Sequence, residues 1–254
     1  MRRPYIFPLC LIVLLTAFQN AAVASTAPTH AHLEAYVWHL SEATDARGER
    51  IDALFVEGRP PLAVRFTQGQ LGVLNLCNAM GAGYRLQGSH LFVVQGERTV
   101  VGCRDEVAEQ ESRAIALITH SSSATLTQAD DGALAWRTAH GEVLVFLPEP
   151  TPETRYGSPG ETLYLELASR TAPCASPTGA QCLQVREVHY GSNGSMLASE
   201  GEFVSVPWQI EGFSHEDGLS NVLLVKRFAI SGPKPSWAYV SKGALRTTRE
   251  RAEE

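Results

Sequence analysis

Apolar residues fall at every second position in short runs along most of the chain, which is the period of a half-buried β-strand. Tyr36, Trp38 and Leu40 alternate in this way, as do Leu62, Val64 and Phe66 and, later, Leu163, Leu165 and Leu167. Turn chemistry separates the runs: Gln68-Gly69-Gln70, Gly88-Ser89, Asp130-Asp131-Gly132 and His140-Gly141 all favour reversals. Residues 84–86 and 91–94 therefore predict a tight hairpin, and residues 125–128, 134–138 and 143–147 predict three further short strands. One stretch has a different period. Over residues 105–120, Val107, Gln110, Ala114, Leu117 and Ile118 share one helical face, Glu106 and Glu109 make the start acidic, and Asp105 is placed to cap it. Glu111 lies close to that face, which leaves a partly buried carboxylate open, but the expectation is a flanking residue bonded to backbone groups or water.

The strand pattern before and after residues 148–159 suggests two units. That stretch holds four prolines with charged and small residues and predicts a linker, with Tyr156 as its one packing side chain. Residues 33–147 read as an antiparallel meander with one helix. Residues 160–243 read as a small, nearly all-β unit: runs at 182–190 and 222–230, a polar loop over 191–201, a turn at Glu216-Asp217-Gly218, and a last strand at 237–240. Residues 25–32 read as a flexible leader and residues 244–254 as a frayed, solvated tail. The fold class expected is mainly β, of the α+β type. No repeat or heptad is present.

The N-terminus adds a compartment. Arg2 and Arg3 precede an apolar run over residues 9–18, and Ala22-Val23-Ala24 fits the small-x-small rule. Residues 1–24 thus predict a secretory signal cleaved between Ala24 and Ser25, with delivery to the periplasm and no stable membrane span afterwards. Removal of Cys10 leaves Cys77, Cys103, Cys174 and Cys182, an even number in an exported chain, as a disulfide framework requires. Four cysteines allow three pairings, and sequence proximity favours 77 with 103 and 174 with 182. The formal net charge of -6 excludes the basic surface that a nucleic-acid partner needs.

Residues that carry chemistry are scattered. Cys77 as a nucleophile would need a base and an oxyanion site, and no histidine stands in a recognisable partner motif. A turn pinned by a disulfide accounts for it better. His30 and His32 form a His-x-His pair near the mature N-terminus, which lacks a third ligand for a metal. His215-Glu216-Asp217, with Ser214 and Glu211, supplies acid-base groups, but consecutive turn residues diverge where catalytic groups must converge. His39, His90, His120, His140 and His189 occur singly. Ser121-Ser122-Ser123 lacks the Gly-x-Ser-x-Gly elbow, and no phosphate loop, dinucleotide fingerprint or zinc-ligand spacing occurs. No catalytic residue, metal or cofactor is expected.

Several residues together carry a resemblance. Trp38-x-Leu40, Phe66, Cys77-Asn78 with Gly83-Tyr84, Thr99-x-x-x-Cys103, Gln110-Glu111 and Leu144-x-Phe146 follow in order over residues 33–147. In that order they resemble the META domain, the HslJ-like family of bacterial envelope and stress proteins. Leu76 stands where the family usually has glycine, and Val73 and Leu74 replace glycines before it, so a different turn is expected there. The second unit looks like a small domain of unknown function that often trails META domains, on Cys174, Cys182-Leu183-x-Val185, Ile210-Glu211-Gly212-Phe213 and the strand at Val225. The resemblance implies an envelope accessory role linked to stress, with no catalytic residues to transfer. Three functions are open at this point. One is a non-catalytic module binding an envelope protein or cell-wall component. The second is an inhibitor-type module using the loop over 174–182, and the third a hydrolase built on the His215 turn.

Overall fold

Alternation of buried and exposed positions becomes strand pairing almost everywhere that the sequence pattern predicts it. In the computed structural model, residues 26–94, 96–119, 123–174, 180–191, 201–233 and 236–250 are described. The signal segment, His120, Ser121, Ser122, the tip of the 174–182 loop and most of the 191–201 loop lie outside the described residues. In the first unit the elements are α1 (His30–Glu34), β1 (Tyr36–Thr44), β2 (Ala63–Thr67), β3 (Gln70–Leu74), β4 (Met80–Gln87), β5 (His90–Val93), β6 (Glu97–Arg98), α2 (Asp105–Ile118), β7 (Ala124–Gln128), β8 (Leu134–Thr138) and β9 (Val143–Pro150). Then come α3 (Pro152–Tyr156), β10 (Glu161–Leu167), β11 (Ala172–Pro173), β12 (Gln181–Glu187), β13 (Val204–Val206), β14 (Ile210–Glu211), β15 (Leu219–Ile230) and β16 (Ser236–Arg249). The protein is mainly β.

The first sheet runs β3-β2-β1-β9-β8-β7-β5-β4-β6, and β3 also pairs with β4, so the sheet closes on itself as a barrel. Inward positions carry the large side chains: Trp38, Phe66, Trp136 and Phe146 are almost fully buried. The α2 helix lays Ala114, Leu117 and Ile118 against this core. Gln110 Nε2 donates to Leu54 O at 2.9 Å, which ties the helix to a short 3-10 turn at Asp52–Leu54. The capping residue is Arg104, without a side-chain bond, and Asp105 is the first helical residue rather than the cap. There its carboxylate still faces the positive end of the helix dipole.

Three expectations need correction. Over residues 26–32 the expected leader is not free: Thr26 exchanges two backbone hydrogen bonds with Gln128, and Thr29 caps α1, whose Leu33 is fully buried. Residues 148–159 are not an open linker either. Pro148, Glu149 and Pro150 continue β9 opposite Trp38, Val37 and Tyr36. Thr151 N donates to Ala35 O at 3.0 Å, so residues of its parity face β1 and the two prolines turn their missing donors away from it. Partner strand β8 ends its pairing at Phe146, so that outer side asks for no donor. Finally, the basic tail is strand β16 as far as Arg249, paired with β15 along its length.

Helix α3 joins the two units. Thr151 caps it, Pro152 opens it, and Gly157 ends it at φ 64. Thr154 Oγ1 donates to Ala35 O of the barrel at 2.7 Å, while Arg155 makes a bidentate pair with Glu211 of the second unit at 2.8 Å each. Tyr156 stacks on Phe228, ring centroids 4.9 Å apart. Glu153 accepts from Lys226 at 2.8 Å and from Lys242 at 3.3 Å. Burial works to raise the Glu153 carboxyl, but the Lys226 hydrogen bond, its own backbone and the two ammonium charges outweigh this and hold it at about 2. The second sheet runs β11-β12-β10-β15-β16-β14, with β13 added to β12.

Candidate functional site

The densest polar cluster of the barrel lies where three separate segments meet. After β3 the chain reverses at Asn75, whose φ of 64 is the left-handed conformation that asparagine tolerates. Asn75 Nδ2 donates to Pro61 O at 2.7 Å and fixes the turn. Leu76, which stands where the family usually has glycine, belongs to the core at 9% exposure. Cys77 then bonds to Cys103, 26 residues on.

Asn78 follows and is 5% exposed. Its backbone N–H donates to Glu111 Oε2 at 2.8 Å, and its Nδ2 lies 3.1 Å from Glu111 Oε1. Its Oδ1 accepts from Val101 N at 2.7 Å and from Thr99 Oγ1 at 3.1 Å. Glu111 is 3% exposed, and Arg98 Nη1 donates to its Oε1 at 2.7 Å. The expectation of a flanking Glu111 is therefore corrected: it is a buried carboxylate, neutralised by Arg98 and saturated by Asn78. A buried charge persists only when paired and hydrogen-bonded in this way. Arg98, which the sequence reading did not single out, is half-exposed and reaches a hollow of about 330 Å³ lined also by Met80, Glu97, Ser112 and Ile115. Gly96 lines it too, and a Cβ there would stand 1.9 Å from Gly81 O, so the close approach of the two segments requires glycine.

The other family-pattern residues surround this cluster without joining it. Trp38 is buried, and its Nε1 donates to Leu33 O at 2.9 Å. Gly83 lies opposite Gln70 in the β3–β4 pairing. Tyr84 packs edge-on against Phe66, and its hydroxyl lies 3.2 Å from His30 Nδ1 and 3.4 Å from Glu34 Oε1. Burial, then the Glu34 charge, pushes the Tyr84 phenol up to about 12.

Among the described residues, neither histidine of the N-terminal pair joins a group of three or more metal-ligating side chains. His32 packs between Tyr36 and Trp38, and burial lowers its pKa. Among the described residues, the sulfurs of Cys77 and Cys103 with the Glu111 carboxylate do stand within 4.8 Å of one another. Because the sulfurs are bonded to each other and Glu111 is committed to Arg98 and Asn78, this group offers no free thiolate. For the same reason Cys77 is no nucleophile in this state.

The profile of the META domain family matches residues 31–151. Residues 31–151 are a META domain. The META family is one of envelope-type accessory proteins, and the second unit lies outside the matched residues. An NMR structure of a protein from Burkholderia xenovorans is similar over 50% of this chain and 93% of its own, at 19% identity and a TM-score of 0.41. A second NMR structure is similar over 47% of this chain and 93% of its own, at 15% identity and a TM-score of 0.35. No curated protein matches the chain.

Outside the META domain, Cys174 and Cys182 form the second disulfide. The groups around His215 separate rather than converge. Glu211 is held by Arg155, Glu216 lies 3.9 Å from Arg249 and is well exposed, and only Asp217 stands near the imidazole, 3.3 Å from Nε2. Among the described residues no helix is long and apolar enough to cross a membrane.

Proposed function

We propose that this chain is a non-catalytic interaction module of the bacterial periplasm, exported by the segment over residues 1–24 and acting in the envelope stress response. The observation that carries this reading is the relation between the saturated cluster and its outer surface. Asn78 and Glu111 use their hydrogen-bonding capacity on the protein itself, and the disulfide uses both thiols. What the cluster displays is Val100 and Val101, 88% and 64% exposed, on the segment between Arg98 and Cys103. Exposed valines held on a braced loop suit a partner surface, since the loop need not be ordered on binding. An envelope protein or a cell-wall component is the expected occupant.

The test is site-specific photocross-linking from position 100 in intact cells. A discrete adduct, lost when Val101 is replaced by aspartate in a protein of unchanged melting temperature, supports the reading. A position 100 that yields no adduct under envelope stress, or adducts indifferent to residue 101, overturns it.

A further inference from the structure

The second unit holds two hollows, of about 360 and 180 Å³, that share Trp208 as a wall. The indole is held flat against Tyr239, centroids 3.9 Å apart and planes 7° from parallel. Tyr239 lines the smaller hollow with Trp208, and Trp208 lines the larger one as well. Leu183 and Phe213 extend this apolar wall, and Gln181, Gln209, Ser214 and His215 face it. Among the described residues, no lysine, arginine, aspartate or glutamate lines the larger hollow. His215 is 11% exposed, and both of its ring nitrogens are buried without a hydrogen-bond partner. Asp217, though near, is not aligned with Nε2.

We propose that this hollow binds a neutral saccharide ring. A sugar presents C–H bonds on one face, which pack on a rigid indole, and hydroxyls at its edge, which both donate and accept. Those hydroxyls match two amides, a serine and an imidazole, each able to do either. An anionic ligand would meet no cation among the lining side chains and would have the Asp217 carboxylate nearby, and a purely aliphatic one would leave the buried His215 nitrogens unpaired. Ligand pockets run from roughly 300 to 1,000 Å³, so a site of about 360 Å³ takes a short stretch or one end of a glycan. This proposal stands independently of the loop at Val100 and Val101, because it concerns another unit and another surface.

The experiment is calorimetric titration of the mature protein with chitotriose, cellotriose and maltotriose, and with trigalacturonate and a glucosamine trimer as charged counterparts. The Trp208 indole N–H signal is followed in parallel by NMR. At least one neutral trimer should bind at about millimolar Kd or tighter and shift that signal. Trp208→Ala should weaken binding about tenfold or more, and Gln209→Ala should weaken it with melting temperature unchanged. Gln209 is exposed, so its variant keeps the test decisive if Trp208→Ala fails to fold. The proposal is overturned if no neutral trimer moves the Trp208 signal, if a charged trimer binds as tightly, or if Gln209→Ala and His215→Ala both leave the affinity unchanged.

Discussion

Asn78 spends its side chain on two other segments at once, residues 99–103 and helix α2, and Glu111 is the acceptor that makes this possible. With Glu111 replaced by alanine, the Asn78 backbone N–H stays buried without a partner, and one amide hydrogen of Nδ2 is left with it. Each such orphan costs about 1–3 kcal/mol, so Glu111→Ala is expected to destabilise the META domain by about 3 kcal/mol in urea unfolding with the disulfide intact. Arg98→Ala should cost a comparable amount, about 3 kcal/mol, because it leaves the buried Glu111 carboxylate without its counter-charge. A loss for Arg98→Ala far smaller than that for Glu111→Ala would place the brace in Asn78 rather than in the ion pair. The helical period put Glu111 beside the apolar face but carried no sign of its partners. Asn78 lies 33 residues away and Arg98 13, and only the closed barrel brings them together. The same limit hid the Trp208 and Tyr239 stack, whose members belong to different segments of the second sheet.

At the level of elements, the loop before β4 and the segment before α2 are joined by both a covalent bond and the Asn78 cluster. The Cys77–Cys103 bond closes a loop worth about 3.5 kcal/mol in the chain-entropy model. Cys77→Ser and Cys103→Ser should therefore lower the melting temperature by nearly the same amount, and the double variant should be little worse than either single. Additive losses in calorimetry would mean that each cysteine does something besides crosslinking. Strands, the α2 helix and this cysteine spacing were legible because each repeats at a local period or spacing. Helix α3 was not: five residues within a proline-rich stretch read as a linker, and its order comes from Thr151, Tyr156 and Glu153 packing against distant strands. Glu153 also gives α3 a pH signature. Its carboxyl is held at about 2 when folded, against an ordinary value of 4.5, so its stabilising effect is complete above about pH 4.5 and disappears as the pH falls through about 2. The stability difference between the wild type and Glu153→Gln should shrink across that window. A difference that stays constant from pH 5 to about 2 would show the carboxyl to be unshifted.

For the whole molecule, α3 makes the two units mechanically one piece. Limited proteolysis should spare residues 148–159, since Thr151 is 3% exposed and β9 is paired through Pro150. Early cleavage there, with two folded fragments, would show that α3 docks only weakly. The division of labour is visible in the edges as well. The barrel closes through β3 and β4, whereas among the described residues the second sheet leaves one long side of β16 unpaired beyond Val240. Along that stretch β16 carries Arg246 and Arg249, both exposed, and the β15–β16 pairing is interrupted by two register shifts, between Val222 and Leu223 and between Leu224 and Val225. Cationic side chains and bulges of this kind keep an open strand from templating another copy. By sequence these two arginines belong to a solvated tail; on a paired strand, charges of this kind work against polymerisation. The protein should thus stay dispersed when crowded into a narrow compartment, and an Arg246→Thr, Arg249→Thr variant should form larger particles in light scattering at concentrations where the parent chain does not.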